Sequence, residues 1–305
     1  MSTSASIPAA TVAAPRSGRP PRTRRPRRDV RRSLSRLPGQ LLVTALLLLV
    51  LLPLVWLLLG SFKTQDEWLN GSPWALPSGF EWSNYSEAWT TGQMATYVRN
   101  SIIAVVPSLF LIVVLGVAAG FALEVLVWRG RNTVLLVFLL GIMVPGQMIL
   151  LPLFTAYFQT GLTGSLWPLI ITYTATGLPL TVFMMATYFR AVPREIFEAA
   201  TLDGASMLRS FAFVGFPMVR NAVLTVALVQ FFFIWNDLLI ALTFTTSSDL
   251  RTIQVGLLNF SGQFGQVQYG PLFAGICINV FGTLFLYLFF NQKVMKGLAG
   301  GAVKG

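Results

Sequence analysis

Leu41-Leu42-Val43-Thr44-Ala45-Leu46-Leu47-Leu48-Leu49-Val50-Leu51-Leu52-Pro53-Leu54-Val55-Trp56-Leu57-Leu58-Leu59 carries no charge over nineteen residues. Only Thr44 and Pro53 interrupt its apolar character. About 20 apolar residues in a helix cross the hydrocarbon core of a bilayer. The segment therefore reads as a membrane span, over about 41–62. A cleaved signal peptide fits poorly: the basic leader is too long, the apolar run exceeds an h-region, and no small-residue cleavage site follows Leu59. An uncleaved first helix is expected.

Similar runs recur at about 101–123, 133–158, 165–189, 219–244 and 271–290. The fold class expected is thus all-α and integral to the membrane, with six spans. Composition agrees: the 305 residues are 54% hydrophobic and 11% charged, against about 25% charged in soluble domains. Six spans return the chain to its starting side. On that side lie the ten arginines between Arg16 and Arg36, then Arg129 and Arg131, then Arg190, Arg194, Arg209 and Arg220, then Lys293, Lys296 and Lys304. The other side holds only Lys63, Arg99 and Arg251. Positive charge marks the cytoplasmic side, so both termini are expected in the cytoplasm of a multi-pass protein of the cell membrane.

Residues 1–38 are expected to form a disordered basic tail, since they offer little apolar surface to bury. No aromatic residues interleave the arginines of that tail, which argues against nucleic acid and for anchoring beside anionic lipid. The spans form one domain over 39–291, and 292–305 form a second cytoplasmic tail. With no His and one Cys, Cys277, neither a disulfide within the chain nor a His/Cys metal site can be built. No cofactor is expected on this chain.

Prolines recur at membrane depth: Pro53, Pro107, Pro145, Pro152, Pro168 and Pro179. Each removes a backbone donor and can break or kink a helix, as happens along transporter substrate paths. Gly116 and Gly120 form a GxxxG spacing suited to close helix approach. Ser83 or Asn84 can cap a short helix running through Glu87. Glu124, at a span end, is expected to meet water or Arg129.

The loop over 190–218 differs in kind from the others. Pro193 suits the first position of a helix, and Glu195 and Glu198 complement its dipole. Ile196, Phe197 and Ala200 form an apolar stripe, and Asp203-Gly204 offers a turn with positive φ. A second helical stretch carries Met207, Leu208 and Phe211, and Pro217 restarts the chain toward the membrane. An apolar knob exposed there requires a protein or membrane partner.

Glu198-Ala199-Ala200, Asp203-Gly204-Ala205 and Pro217, placed between the fourth and fifth spans, resemble the EAA loop of ABC importer permeases. That resemblance implies a coupling helix that docks into a cytoplasmic ATPase dimer carrying ATP and Mg. Asn84-Tyr85, Asn100-Ser101, Pro145 with Gln147, Gly161-Leu162, Trp235-Asn236-Asp237 and the end of the chain from Gly297-Leu298 to Gly305 are similar to carbohydrate-uptake permeases, most of all the smaller transmembrane subunit of maltose-type transporters. The likeness covers residues from about 41 to the end. It departs at Arg220-Asn221, where many relatives carry a proline after Pro217, and near the end, which lacks a Thr or Ser. It implies a second permease subunit in a heterodimer, an extracytoplasmic sugar-binding protein and inward movement of a sugar by alternating access.

Asp237 is expensive inside a span unless it faces a cavity or a partner. It reads equally as a contact for sugar hydroxyls and as a group near headgroups or a partner helix. Gln147 and Asn236, with Gln230 and Asn279, can bond a polyol or join helices. Tyr173 and Trp235 can stack on a sugar face or pack. The chain has no phosphate-binding P-loop, so energy must come from elsewhere. A gradient-driven carrier would need more intramembrane acids than Asp237, and an enzyme would need a nucleophile beside a base.

Overall fold

A computed structural model describes residues 30–261 and 266–302, with side chains over 38–261 and 266–288. The greater part of the basic tail, 1–29, lies outside the described residues, as do residues 303–305 at the end of the expected C-terminal tail. Among the described residues the chain is helical and has no strand; a single isolated bridge joins Ser261 and Val267.

Five helices have the length and apolarity of membrane spans. They are α1 (Val30–Gly60), α4 (Met94–Glu124), α7 (Trp167–Arg190), the helix entered at Met207 and ending with α10 (Phe216–Trp235), and α13 (Tyr269–Ala302). The short helices α2 (Gln65–Leu69) and α3 (Ser83–Trp89) precede α4. The expected third span is two helices, α5 (Arg131–Met143) and α6 (Gly146–Gln159), bent by 95°. Val144 and Pro145 adopt extended backbone at that bend. The residue before a proline is steered out of the helical region, which is why the apolar run does not continue as one rod. Pro107, Pro152 and Pro179 stay inside helices.

Other boundaries shift. Helix α1 starts at Val30, so the last residues of the expected tail are helical. They adjoin a long apolar helix, and adding a residue to an existing helix is far easier than nucleating one. The C-terminal helix likewise runs past 291, to Ala302. The expected fifth span, 219–244, ends early at Trp235 and resumes as α11 (Leu239–Phe244). A loop with α12 (Ile253–Gly256) leads to α13.

Residues up to Leu51 form a unit of their own, and Leu52 onward forms a second. In the first unit the side chains from Pro38 to Leu51 are exposed. The second is organised around α4 and α7. A methyl group on Gly116 would lie 2.3 Å from Thr181 Cγ2, one on Gly120 2.6 Å from Met185 Cβ, and one on Gly177 2.6 Å from Ile112 Cδ1. The GxxxG spacing therefore marks a true close approach. Van der Waals packing of this kind drives helix association where lipid tails remove the hydrophobic incentive. Helix α10 is fixed to the pair by Gln230, whose Nε2 donates to Gly177 O (3.0 Å) and Thr181 Oγ1 (2.9 Å).

At the end where α4 begins, the segment 61–82 folds onto the helices. Asn84 does not cap α3; its Nδ2 is buried and donates to Ser61 O and Lys63 O, both at 2.9 Å. Ser83 instead donates to Glu81, and the cap position falls to Trp82 without a side-chain bond. Lys63 is also buried. Its Nζ donates to the carbonyls of Ser72 and Pro73 at 3.1 Å each and lies 4.9 Å over the Trp68 ring. Asn100-Ser101 ties α4 to the loop after α11. Asn100 Nδ2 donates to Asp249 O and Arg251 O, and Ser101 Oγ accepts the Ile253 N–H at 2.9 Å.

Candidate functional site: a turned loop and a broken span

The loop after α7 forms a short helix, α8 (Arg194–Leu202). Pro193 sits just before its first turn, one position earlier than expected. After Leu202 the chain closes in a Schellman arrangement: Gly204 N–H donates to Thr201 O (3.0 Å) and Ala205 N–H to Ala200 O (2.9 Å). This closure needs a left-handed residue after the cap, and Gly204 has φ +81°. Ser206 then caps the next helix, its Oγ accepting the Arg209 N–H.

That helix opens with α9 (Met207–Arg209) and widens into a π-helical turn over Ser210–Gly215 before becoming α10. Pro217 was expected to mark a restart of the chain. It lies instead in the first turn of α10, inside a continuous helical path. Its missing N–H would leave a gap in an α-helical ladder, and the preceding turn shifts register, with Phe216 N–H bonding Phe211 O. Such π turns concentrate at functional sites.

The apolar stripe divides. Phe197 turns inward, its ring 5.8 Å from Phe121, and Gly215 leaves room for both rings: a Cβ there would meet Phe121 at 3.2 Å. Outward stand Leu202, 89% exposed, Leu208, 73%, and Met207, 56%. Glu195, Glu198, Ala199 and Asp203 are exposed, and Ala200 and Ala205 half-buried. The knob is thus made by the turn and the start of α9, with Ile196 exposed beside them and Phe197 withdrawn from it. Behind α8 lies a cleft of about 440 Å³ lined by Phe121, Glu124, Arg190, Arg194, Glu198 and Ser210 among others. At its edge Arg190 donates to both oxygens of Glu124, at 3.2 and 2.9 Å. Glu124 therefore pairs with Arg190 rather than Arg129.

The second element is the break between α10 and α11. Here the structure gathers four of the five residues expected on the substrate path, Tyr173, Trp235, Asn236 and Asp237. Tyr173 Oη donates to Asp237 Oδ2 at 3.0 Å, and the same oxygen accepts the Ala241 N–H at 3.0 Å. Trp235 Nε1 donates to Asn279 Oδ1 at 2.9 Å, and its ring stacks on Phe231. Gln254 Nε2 reaches Trp235 O (3.3 Å) and Asn236 Oδ1 (3.4 Å). Asn236 is exposed and donates back to Phe232 O. Tyr173 is 3% exposed, so both faces of its ring are covered. Gln147 stands apart, exposed at the start of α6.

The model of the family "Binding-protein-dependent transport system inner membrane component" matches residues 112–292. The chain belongs to that family. It is the permease subunit of an ABC importer, and the family consists of transporter subunits, not enzymes. It is 34% identical over 257 residues to the diacetylchitobiose uptake system permease protein NgcG of Streptomyces coelicolor, covering 84% of this chain and 85% of that protein. It is 31% identical to the trehalose transport system permease protein SugB of Mycobacterium tuberculosis, over 84% of this chain and 93% of the relative. Its fold is similar to a chain of a bacterial ABC transporter involved in the import of alginate, with TM-score 0.73, 19% identity, and coverage of 87% of this chain and 97% of that one.

Gln254 and Thr181, which bond the break and the α4–α7–α10 contact, are not among the expected site residues of this permease. Gln230 and Asn279 join helices, as polar side chains in spans do when neighbours lie within reach. The signal for Gln254 is its position in a nearly uncharged loop, which says nothing of where its amide points.

Proposed function

We propose that this permease moves a carbohydrate inward across the cytoplasmic membrane by alternating access. The chain crosses the membrane six times, α5 and α6 together making the broken third span, and both termini lie in the cytoplasm. Its transmembrane domain covers 39–291, and it pairs with a second permease subunit. An ABC ATPase dimer, holding ATP and Mg, docks on α8. A sugar-binding protein delivers substrate from outside. The relatives' names, diacetylchitobiose and trehalose uptake among them, support the sugar class.

The observation that carries the docking reading is the outward ridge of Leu202, Met207 and Leu208 beside Glu195 and Glu198, held rigid by the Gly204 turn. Exposed apolar side chains rimmed by charge mark a protein contact. Glu198, Ala199, Ala200, Asp203, Gly204 and Ala205 form that contact, and Pro217 sets the helix behind it. Trp235, Asn236, Asp237 and Gln147 border the substrate path, with Tyr173 behind them.

The test is to tag the C-terminus, extract the protein from its native cells in mild detergent, and identify what co-purifies. Recovery of a second permease and an ABC ATPase is the expected result, and the accompanying binding protein then names the sugar. A chain recovered alone, with no ATPase even after cross-linking through position 198, overturns the docking assignment. Labelling of cysteines placed at 198 and 246 with a membrane-impermeant maleimide checks the orientation: only the second reacts in intact cells.

A further inference from the structure

The two elements of the site are connected by one helix. Helix α7 carries Tyr173 near its start and Arg190 at its end, and α8 begins after three intervening residues. At 1.5 Å per residue, Tyr173 and Arg190 are about 25 Å apart along it. The break after α10 is anchored on two sides. Trp235, on the α10 side, is held to α13 through Asn279 and to α12 through Gln254. Helix α11, on the other side, is held to α7 through Asp237 and Tyr173. Any movement of α7 relative to α13 must therefore act on residues 236–238.

We propose that Tyr173 and Asp237 are positioning residues for transport: their bond latches α11 to α7, so that displacement of α8 reaches the broken fifth span and opens or closes it. The proposal rests on the docking role of α8 given above. A single oxygen, Asp237 Oδ2, does two things. It receives the Tyr173 hydroxyl, and it caps the first turn of α11 through the Ala241 N–H. When the tyrosine leaves, the carboxylate is freed to rotate and the cap weakens with it. Helix α11 has only six residues, too few to hold a helix without its cap and neighbours. Latch and cap therefore release together, giving the break two discrete states rather than a continuum. Such a bistable element is what a transmitted movement requires.

Two variants separate the parts. Tyr173→Phe removes one hydroxyl from a covered ring and keeps its packing. Asp237→Asn keeps an oxygen that accepts both bonds. Hydrogen–deuterium exchange on the full-length chain in detergent reads the amides over 238–245. We expect Tyr173→Phe to speed exchange there about tenfold, as local opening without global unfolding, with α10 unchanged. Asp237→Asn should stay within about threefold of wild type. In the co-purified complex, Tyr173→Phe should raise ATP hydrolysis in the absence of binding protein severalfold.

Wild-type exchange in Tyr173→Phe overturns the latch. Faster exchange with unchanged hydrolysis also overturns it, since the bond would then be a packing contact only. If no ATPase co-purifies, the docking role of α8 falls, while the exchange comparison still decides whether the pair holds the hinge.

Discussion

Two interruptions of helix, at 203–205 and at 236–238, solve the same problem in opposite ways. At the first, each freed backbone group finds a partner within five residues: Gly204 with Thr201, Ala205 with Ala200. At the second, the backbone donors of Asn236 and Asp237 also close nearby, on Phe232 O and Ile234 O, but the Trp235 carbonyl and the polar side chains find partners far off in sequence. Gln254 is 19 residues from Trp235, Asn279 is 44, and Tyr173 is 64 from Asp237. The first turn is exposed and can leave what remains to water. The second interrupts an apolar span, where an unpaired polar group costs several kcal/mol, so the Trp235 carbonyl and the polar side chains of the break draw partners from other elements. A turn of the first kind is set by its own residues. A break of the second kind is set by the whole bundle, and only there can one part of the bundle act on another.

The largest effect should come from the local turn. Gly204→Pro fixes φ near −65° where the chain needs +81° and removes the donor to Thr201 O, a cost of ~3 kcal/mol or more. Transport should be abolished while membrane insertion, read by protease protection, stays intact. Glu198→Lys sharpens the point, since it leaves the turn unchanged and reverses an exposed charge. It should abolish transport too, with ATPase no longer recovered on purification. Normal uptake in both variants would remove the coupling assignment.

Asn279→Leu tests the distant kind of closure. It leaves Trp235 Nε1 without its acceptor, and interhelical bonds of this kind contribute about 0.6–1.7 kcal/mol in membranes. Thermal unfolding in detergent should fall by a few degrees. Combined with Gln254→Ala, the loss should exceed the sum of the two, because both side chains hold the same residue. Simple additivity would mean that Trp235 is held by packing alone.

The contrast also explains what the sequence could reveal. The Gly204 turn, the amphipathic α8 and the apolar spans are local patterns, and composition with spacing made them readable. Where the reading failed, long-range terms decided. Asn84 reads as a cap because Asn favours caps, but a buried gap beside Ser61 and Lys63 claims its amide. Tyr173 reads as a stacking surface because nothing local shows that Asp237, in another helix, accepts its hydroxyl. The bend at Pro145 was one of six prolines with the same local signal; only the packing around each shows which of them ends a helix. Phe197 reads as part of an exposed knob until Gly215 and Phe121 supply the space that draws it inward.

Glu124→Gln probes a contact between these extremes, a surface pair joining the ends of α4 and α7 beside the cleft under α8. Arg190 is 63% exposed and Glu124 15%, so screening limits the pair to under about 1 kcal/mol. The variant should shift the unfolding midpoint by a degree or two at low salt and by nothing measurable at 1 M. An effect that persists in high salt would mean that the pair is shielded in the assembled transporter.

The smallest expected effect comes from a local closure that can be titrated. Glu67 accepts the Thr64 and Ser78 backbone N–H groups at 2.8 and 2.7 Å, closing a capping box on α2. The Thr64 N–H, with Ser78 next, lowers its pKa from 4.5 to about 2. Because the folded value is depressed, the stabilisation is complete above about pH 4.5 and is lost as pH falls toward 2. Trp68, next in the chain and stacked on Tyr269 at 5.6 Å, should report this as a fluorescence change confined to that window. Glu67→Gln, which keeps one of the two acceptor oxygens and no titrating proton, should abolish the pH dependence. A transition that survives in that variant would assign it to another carboxylate. The segment would then be held, like the break in the fifth span, by contacts outside its own sequence.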